Sequence, residues 1–236
     1  MEEEIKSKYQ YVYNYEADRK KKYRAFIILL SSMFLFSLTF LGLTDRISDL
    51  TSSFLESHLG FTNKWSKSFG PDWFVGLNRD VAALGGFWLL FIFLAVTIIY
   101  YHLRKEKRRL WRLLFIVVAG GILMLATKII FAKELPHEPV EIITNSISSF
   151  PSGHAMMGTI FYATLAVTIS RRQQSQKTRR LTIITGIVII ILIGISRILP
   201  GNHSVTDVIA GWSLGLTWLC FCWFLERYIK KNRDMK

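Results

Sequence analysis

The hydrophobic residues of this chain fall in runs about twenty residues long, separated by short charged stretches. A helix rises 1.5 Å per residue, so each run is long enough to cross a hydrocarbon core of about 30 Å. Because backbone polar groups inside lipid need partners within their own segment, we expect these runs to be helices. The predicted spans are 25–43, 83–102, 111–131, 152–170, 181–199 and 207–225.

This pattern predicts an all-α, polytopic membrane protein built as a six-transmembrane-helix bundle. The long connection 44–82 carries apolar residues at helical spacing, so we expect an interfacial helix on the outer side of the membrane. The chain then divides into a basic tail at 1–24, one transmembrane domain at 25–225 and a second basic tail at 226–236.

The positive charges are distributed unevenly about these spans. The formal net charge is +13, and 23 of the 30 Lys and Arg residues lie at one set of span ends. They occupy four segments: 1–24, 104–112, 171–180 and 226–236. The positive-inside tendency therefore predicts an integral protein of the cell (plasma or inner) membrane with both termini in the cytoplasm. Charge spread over four segments, without a recognisable binding fold, excludes nucleic acid as the expected partner.

Five ionisable residues lie where they cost free energy, at or near the outer ends of the spans. They are Lys128, His154, Arg197, His203 and Asp207. Taken singly, the lysine and the arginine are explained by snorkelling to the interface, and the histidines by structural roles. All five are predicted at one depth on the outer side, which favours a common site facing water.

The residue types in this set suit phosphate. Residues 151–154 read Pro-Ser-Gly-His at a predicted helix start, where free backbone N–H groups attract anions. Lys128 and Arg197 add positive charge, and the guanidinium fork of arginine matches pairs of phosphate oxygens.

The remaining residues supply acid–base and nucleophilic groups. If the segment is helical, His203 and Asp207 share one face at i, i+4, so the carboxylate can hold one ring nitrogen while the other attacks. His154 is a second imidazole, available to protonate a leaving oxygen. Together these groups point to phosphoryl transfer without a metal.

At this level of detail the chain resembles the type 2 phosphatidic acid phosphatase superfamily, membrane lipid phosphatases related to vanadium haloperoxidases. The family has three motifs, K-x6-R-P, P-S-G-H and S-R-x5-H-x3-D. The second is complete at 151–154 and the third at 196–207. The resemblance implies that His203 forms a phosphohistidine, that Asp207 orients it and that His154 donates a proton. It also implies a phosphate site formed by Lys128, Ser152, Gly153 and Arg197, with no metal or other cofactor.

The first motif departs from the family pattern. Six residues follow Lys128, and the next two are Leu135 and Pro136, so leucine stands where the family has arginine. Lys133 or His137 is available as a replacement, or the substrate is bound differently. A charged hydrogen bond contributes about 1.5–3 kcal/mol, so the loss of one does not decide activity.

These observations predict a lipid phosphate or diphosphate phosphatase with its site on the outer face and a lipid phosphate as its partner. By resemblance, undecaprenyl diphosphate is the first choice of substrate, followed by phosphatidylglycerophosphate, phosphatidic acid and lipid A phosphate. A lipid phosphotransferase and a non-catalytic lipid-phosphate binding protein are the competing interpretations. The sequence leaves the oligomeric state open.

Overall fold

The computed structural model describes residues 2–40, 50, 53–54, 71–132 and 150–234. Every regular element within them is helical, as the sequence predicts. The helices are α1 (Glu2–Phe40), α2 (Asp72–Ala83), α3 (Phe87–Leu103), α4 (Lys107–Leu114), α5 (Gly120–Ala132), α6 (Gly153–Ser170), α7 (Gln176–Ile198) and α8 (Val205–Asp234). A π-helical turn at Phe115–Ala119 joins α4 to α5.

Four helical segments among the described residues are long and apolar enough to cross a membrane. They are Asp18–Thr39, Lys107–Phe131, Gln176–Ile198 and Val205–Arg233. A fifth results if α2 and α3, which are bent by 45° at the break between them, form one span. Helix α6 coincides with the fourth predicted span but is not one of these four segments. The membrane-helix class is confirmed, and the count of six stays a prediction.

Both basic tails are helical over most of their length. Helix α1 begins at Glu2, and α8 continues to Asp234, so each tail prolongs a spanning helix. Lys, Arg and Glu are good helix formers, which explains why the charged segments keep this conformation. The two helices also pack against each other, and the hydroxyls of Ser32 and Thr217 share a hydrogen bond of 2.9 Å.

Helix α6 lies at the centre of the bundle and packs against α5, α7 and α8. Its residues Met156, Ile160 and Phe161 are almost completely buried. Its first turn approaches α8 closely because Gly211 has no side chain: a Cβ there would lie 2.6 Å from the carbonyl oxygen of Ser152. Small residues at helix crossings permit such close approach in membrane bundles. The start of α6 is thereby fixed against the start of α8.

The predicted interfacial helix at 44–82 lies mostly outside the described residues. Leu50, Ser53 and Phe54 are helical, and the end of the segment forms α2, which begins at Asp72. The helix that follows the bend, α3, begins at Phe87, four residues after the start of the second predicted span, 83–102. The hydroxyl of Tyr162 donates a hydrogen bond of 2.9 Å to the carbonyl of Leu84 in this bend, which ties it to α6.

Candidate active site

The five ionisable residues singled out from the sequence lie together at one end of the bundle. Lys128 is near the end of α5, His154 is in the first turn of α6, and Arg197 is in the last turn of α7. His203 lies two residues before α8, and Asp207 is in its first turn. His154 interacts electrostatically with Arg197, His203 and Lys128, and Lys128 does so with Asp207 and Arg197.

The carboxylate of Asp207 is held by a capping box at the start of α8. Its Oδ2 accepts a hydrogen bond of 3.0 Å from the backbone N–H of Ser204. In return, the Oγ of Ser204 accepts one of 3.1 Å from the backbone N–H of Asp207. These reciprocal bonds satisfy two donors at the helix start and fix the side chain of Asp207. The carboxylate is consequently oriented by its own helix terminus.

His203 meets this carboxylate across the same turn. Its Nδ1 lies 3.5 Å from Oδ2 of Asp207, with side chains only 11% and 8% exposed. This distance brings the two groups into ion-pair range, but Nδ1 does not meet the geometry of a hydrogen bond. The i, i+4 spacing predicted both residues on one helix face if the segment is helical, whereas His203 lies outside the helix, which begins at Val205. The cap, rather than helical periodicity, brings the pair together.

The loop before His203 is shaped by Gly201. Gly201 has φ of 70°, in the left-handed region that side chains disfavour. The backbone N–H of His203 then donates a hydrogen bond of 3.1 Å to the carbonyl of Arg197. This bond closes the loop and keeps the imidazole close to the end of α7, where Arg197 lies.

Ser152 connects the second motif to the third. Its backbone N–H donates a hydrogen bond of 2.9 Å to the carbonyl of Asp207, so this amide is already used. It precedes α6 as the N-cap residue, yet its hydroxyl makes no capping bond, and the residue is 0% exposed. The hydroxyl therefore has no hydrogen-bond partner among the described residues.

Three buried side-chain atoms of the two motifs have no hydrogen-bond partner among the described residues: Ser152 Oγ, Arg197 Nε and His203 Nδ1. Buried polar atoms are nearly always paired, so unpaired ones call for an explanation. A bound oxyanion would satisfy both the hydroxyl and the guanidinium. A fourth atom of this kind, Trp212 Nε1, belongs to a ring that packs against Gly194.

The first turn of α6 offers backbone donors to the same space. The N–H groups of Gly153, His154 and Ala155 lie in this turn, where a helix has no internal acceptors for them. A Cβ on Gly153 would lie 3.3 Å from Cε of Lys128 and 3.0 Å from Sδ of Met124. The absence of a side chain at 153 thus lets Lys128 lie against this helix start, beside an anion-binding turn.

Three contributors to the site were not identified from the sequence. Ser204 is one, although the Ser-x-x-Asp pattern at 204–207 is a capping-box signal that could have identified it. Asn78 on α2 is another: its buried amide donates a hydrogen bond of 3.0 Å to the carbonyl of Ser196. The third is Gly85, where a Cβ would lie 3.2 Å from the carbonyl of His154. No sequence pattern links α2 or its bend to these partners.

The residues around the incomplete first motif lie outside the described part of the chain. They are Lys133, Leu135, Pro136 and His137.

The fold is that of an all-helical membrane protein, and this polar cluster at one end of its bundle is its candidate active site. The model of the PAP2 superfamily matches residues 109–231, which include all seven candidate site residues. The chain belongs to the PAP2 superfamily, as the motifs predicted.

Relatives with known names agree with this assignment. Over 131 residues the chain is 31% identical to phosphatidylglycerophosphatase B of Bacillus subtilis, an alignment that covers 54% of this chain and 64% of that protein. It is 25% identical over 171 residues to the undecaprenyl-diphosphatase of Sulfolobus acidocaldarius, and that alignment covers 70% of this chain and 78% of the other protein. The crystal structure of a transmembrane PAP2-type phosphatidylglycerolphosphate phosphatase from Bacillus subtilis superposes with a TM-score of 0.57 at 20% identity. That superposition covers 88% of this chain and 98% of the other, and it supports the fold.

Proposed function

We propose that this protein is a membrane-embedded lipid phosphate or diphosphate phosphatase that acts through a phosphohistidine on His203. The observation that carries the proposal is the set of buried, unpartnered donors at Ser152 and Arg197 beside an imidazole–carboxylate pair. Donors of this kind fit phosphate oxygens, and the pair supplies a nucleophile and the group that orients it.

In the first step, Nε2 of His203 attacks phosphorus, and the bond between phosphorus and the lipid-side oxygen breaks. The bond electrons pass to that oxygen, which takes a proton from His154 and leaves as the lipid alcohol or lipid phosphate. Asp207 accepts from Nδ1–H of His203, which keeps Nε2 unprotonated for attack and stabilises the charge that develops on the ring. The 3.5 Å separation of Nδ1 and Oδ2 shortens to a hydrogen bond in this step.

In the second step, His154 takes a proton from water, and the water oxygen attacks the phosphohistidine. The bond between phosphorus and Nε2 breaks, inorganic phosphate is released and His203 is regenerated. The same imidazole therefore acts first as an acid and then as a base, which restores the starting protonation of the site.

The phosphate is held by Lys128, Ser152, Gly153 and Arg197. Ser152 contributes its hydroxyl and Gly153 its backbone N–H, while Lys128 and Arg197 neutralise the equatorial oxygens. Because two cations and a helix start supply this neutralisation, we expect hydrolysis to continue in excess EDTA. Loss of activity in EDTA, restored by a divalent cation, would contradict the metal-independent mechanism.

We propose six spans with an interfacial helix within 44–82, both termini in the cytoplasm and the site facing the outer side. The topology can be tested with single cysteines introduced at Asn202 and Arg180 after Cys220 and Cys222 are replaced by alanine. A membrane-impermeant maleimide added to intact cells should label the cysteine at 202 and spare the one at 180. The reverse result would invert the topology.

For the substrate we propose undecaprenyl diphosphate first, in line with one named relative. Phosphatidylglycerophosphate is the second candidate, since the relative at 31% identity is named for its phosphatase activity on that lipid. The test is release of inorganic phosphate from both lipids, phosphatidic acid and lipid A by the purified full-length protein. The preferred substrate is the one with the highest kcat/KM, and product analysis distinguishes hydrolysis from transfer to a second lipid.

The mechanism is tested on the preferred substrate with His203→Ala. We expect activity to fall by several orders of magnitude, because the variant lacks the imidazole that forms the proposed covalent intermediate. Thermal unfolding of the variant checks that the fold is retained. Phosphate release at the parent rate would refute the phosphohistidine mechanism.

A further inference from the structure

A basic groove lies between α1 and α8 at the end of the bundle opposite the candidate active site. Its volume is about 620 Å³, and its walls include Asp18, Lys22, Phe224 and Arg227. Arg227 follows Asp207 by twenty residues of the same helix, a distance of about 30 Å at 1.5 Å per residue. The groove and the candidate active site therefore face opposite sides of the membrane.

The cationic groups at the centre of the groove are held in place by contacts within the protein. The Oδ2 of Asp18 lies 3.0 Å from Nζ of Lys22, while its Oδ1 pairs with the guanidinium of Arg227. The same guanidinium lies 4.4 Å from the ring centroid of Trp223. The guanidinium of an arginine has five N–H donors, and a single carboxylate oxygen accepts from only some of them. The remaining donors are thus oriented before any ligand binds.

The groove carries more positive than negative charge. Lys230 and Lys231 also line it, so among the described residues of its walls four cationic side chains accompany one carboxylate, that of Asp18. Neither lysine forms an ion pair within the described part of the chain. Like charges concentrated in a concave surface repel one another and attract a multivalent anion. The groove is therefore electrostatically suited to an anionic group.

Aromatic and apolar side chains lie beside the charges, on the side nearer the centre of the membrane. Phe224 lines the groove, and Phe26 and Phe221, which are 47% and 50% exposed, lie further along the two helices. Charge at one end and exposed apolar surface at the other match an amphiphile better than a soluble anion.

We propose that this groove binds the head group of an anionic phospholipid. The lipid phosphate would contact Arg227 and Lys22, Lys230 and Lys231 would contribute charge at the rim, and the acyl chains would lie along the apolar surfaces of α1 and α8. Basic pockets between membrane helices recognise anionic head groups in this way. The inference is independent of the proposed phosphatase activity, because the groove shares no residue with the candidate active site.

The test is a native mass spectrometry titration of the purified full-length protein with phosphatidylserine. The double variant Lys230→Gln/Lys231→Gln removes two rim charges and leaves the Asp18 contacts in place. The matched control, Lys177→Gln/Arg180→Gln, removes two exposed charges at the same end of the bundle, outside the groove. Lipid held in the candidate active site would be retained equally by both variants.

We expect the first phosphatidylserine to bind the Lys230/Lys231 variant at least about tenfold more weakly, since each basic charge near a lipid surface contributes a factor of about five. The control should stay within about twofold of the parent, and phosphatidylcholine should bind all three weakly. Equal losses in both double variants would show diffuse surface charge and overturn the proposal. Displacement of phosphatidylserine by millimolar inorganic phosphate would also overturn it, in favour of a site for soluble anions.

Discussion

The backbone N–H of Ser152 donates a hydrogen bond of 2.9 Å to the backbone carbonyl of Asp207. This bond joins the second motif to the third and ties the start of α6 to the first turn of α8. The contact depends on how closely the two helices approach at Gly211, where a Cβ would lie 2.6 Å from the Ser152 carbonyl oxygen. The crossing of α6 and α8 thus sets where the hydrogen-bond donors of the second motif lie relative to the imidazole of the third motif.

Gly211→Ala should separate the two motifs. The added methyl group meets backbone, which cannot rotate away, so the free energy of unfolding should fall by about 1–3 kcal/mol. Phosphate release should fall as well, because Ser152 moves relative to Asp207. Thermal unfolding in detergent and a phosphate assay measure the two effects.

The matched control for this substitution is Gly76→Ala in α2. A Cβ there has nothing within 4 Å, so the change should raise the free energy of unfolding by about 0.5–1 kcal/mol through helix propensity. If Gly211→Ala were as stable and active as Gly76→Ala, the helix crossing would not position the site.

Ser204→Ala should remove one half of the capping box. The helix start loses the hydroxyl that accepts from the backbone N–H of Asp207, at a cost of about 1 kcal/mol of stability. Because Asp207 becomes less well oriented toward His203, kcat should also fall. Ser175→Ala is the matched control: it removes the N-cap of α7, which accepts from Lys177 N–H, at the other end of the bundle. A similar loss of kcat in both variants would mean that the effect on kcat reflects stability alone.

Asn78→Leu should show that α2 supports the phosphate site. The substitution leaves the carbonyl of Ser196 without its donor in a buried place, at a cost of about 1–3 kcal/mol. Since Ser196 precedes Arg197, we expect KM for the lipid phosphate to rise more than kcat falls. Asn78→Asp should be at least as damaging, because an ionised carboxylate cannot donate to the carbonyl. An unchanged KM in both variants would limit Asn78 to a structural role.

Glu106, in the connection between α3 and α4, should make stability depend on pH. Burial raises the pKa of its carboxyl, but a hydrogen bond from Arg109 and the charges of Arg109, Arg172 and Arg104 outweigh this and lower the pKa below 4.5. A lowered pKa in the folded state contributes stability above the unfolded value, and this contribution is lost as pH falls through the folded pKa. Glu106→Gln should therefore lower Tm at pH 7 and have a smaller effect near pH 3.5. An equal difference in Tm at both pH values would contradict the assignment.

The sequence was sufficient for the features that depend on residue type and spacing. Lipid has no hydrogen-bond partners for a backbone, so apolar runs of spanning length are helices whatever surrounds them. The second and third motifs likewise identified the residues that cluster in the structure, because each requires particular side chains at fixed intervals. The charged tails were less predictable, since continuation of α1 and α8 depends on their packing against each other as well as on helix propensity.

By itself, then, the sequence determined the helical membrane class, the family and the group of residues that cluster at the candidate active site. Only the tertiary structure decided how these residues are oriented. The contact of Asp207 with His203 depends on the Ser204 cap. The hydrogen bond from Asn78 to Ser196 joins α2 to α7 through two residues that are 118 positions apart in the sequence. The bond between Ser152 and Asp207 requires the close helix crossing at Gly211. Such contacts depend on which helices are neighbours and how closely they pack, and the hydrophobic pattern of a single chain leaves both open.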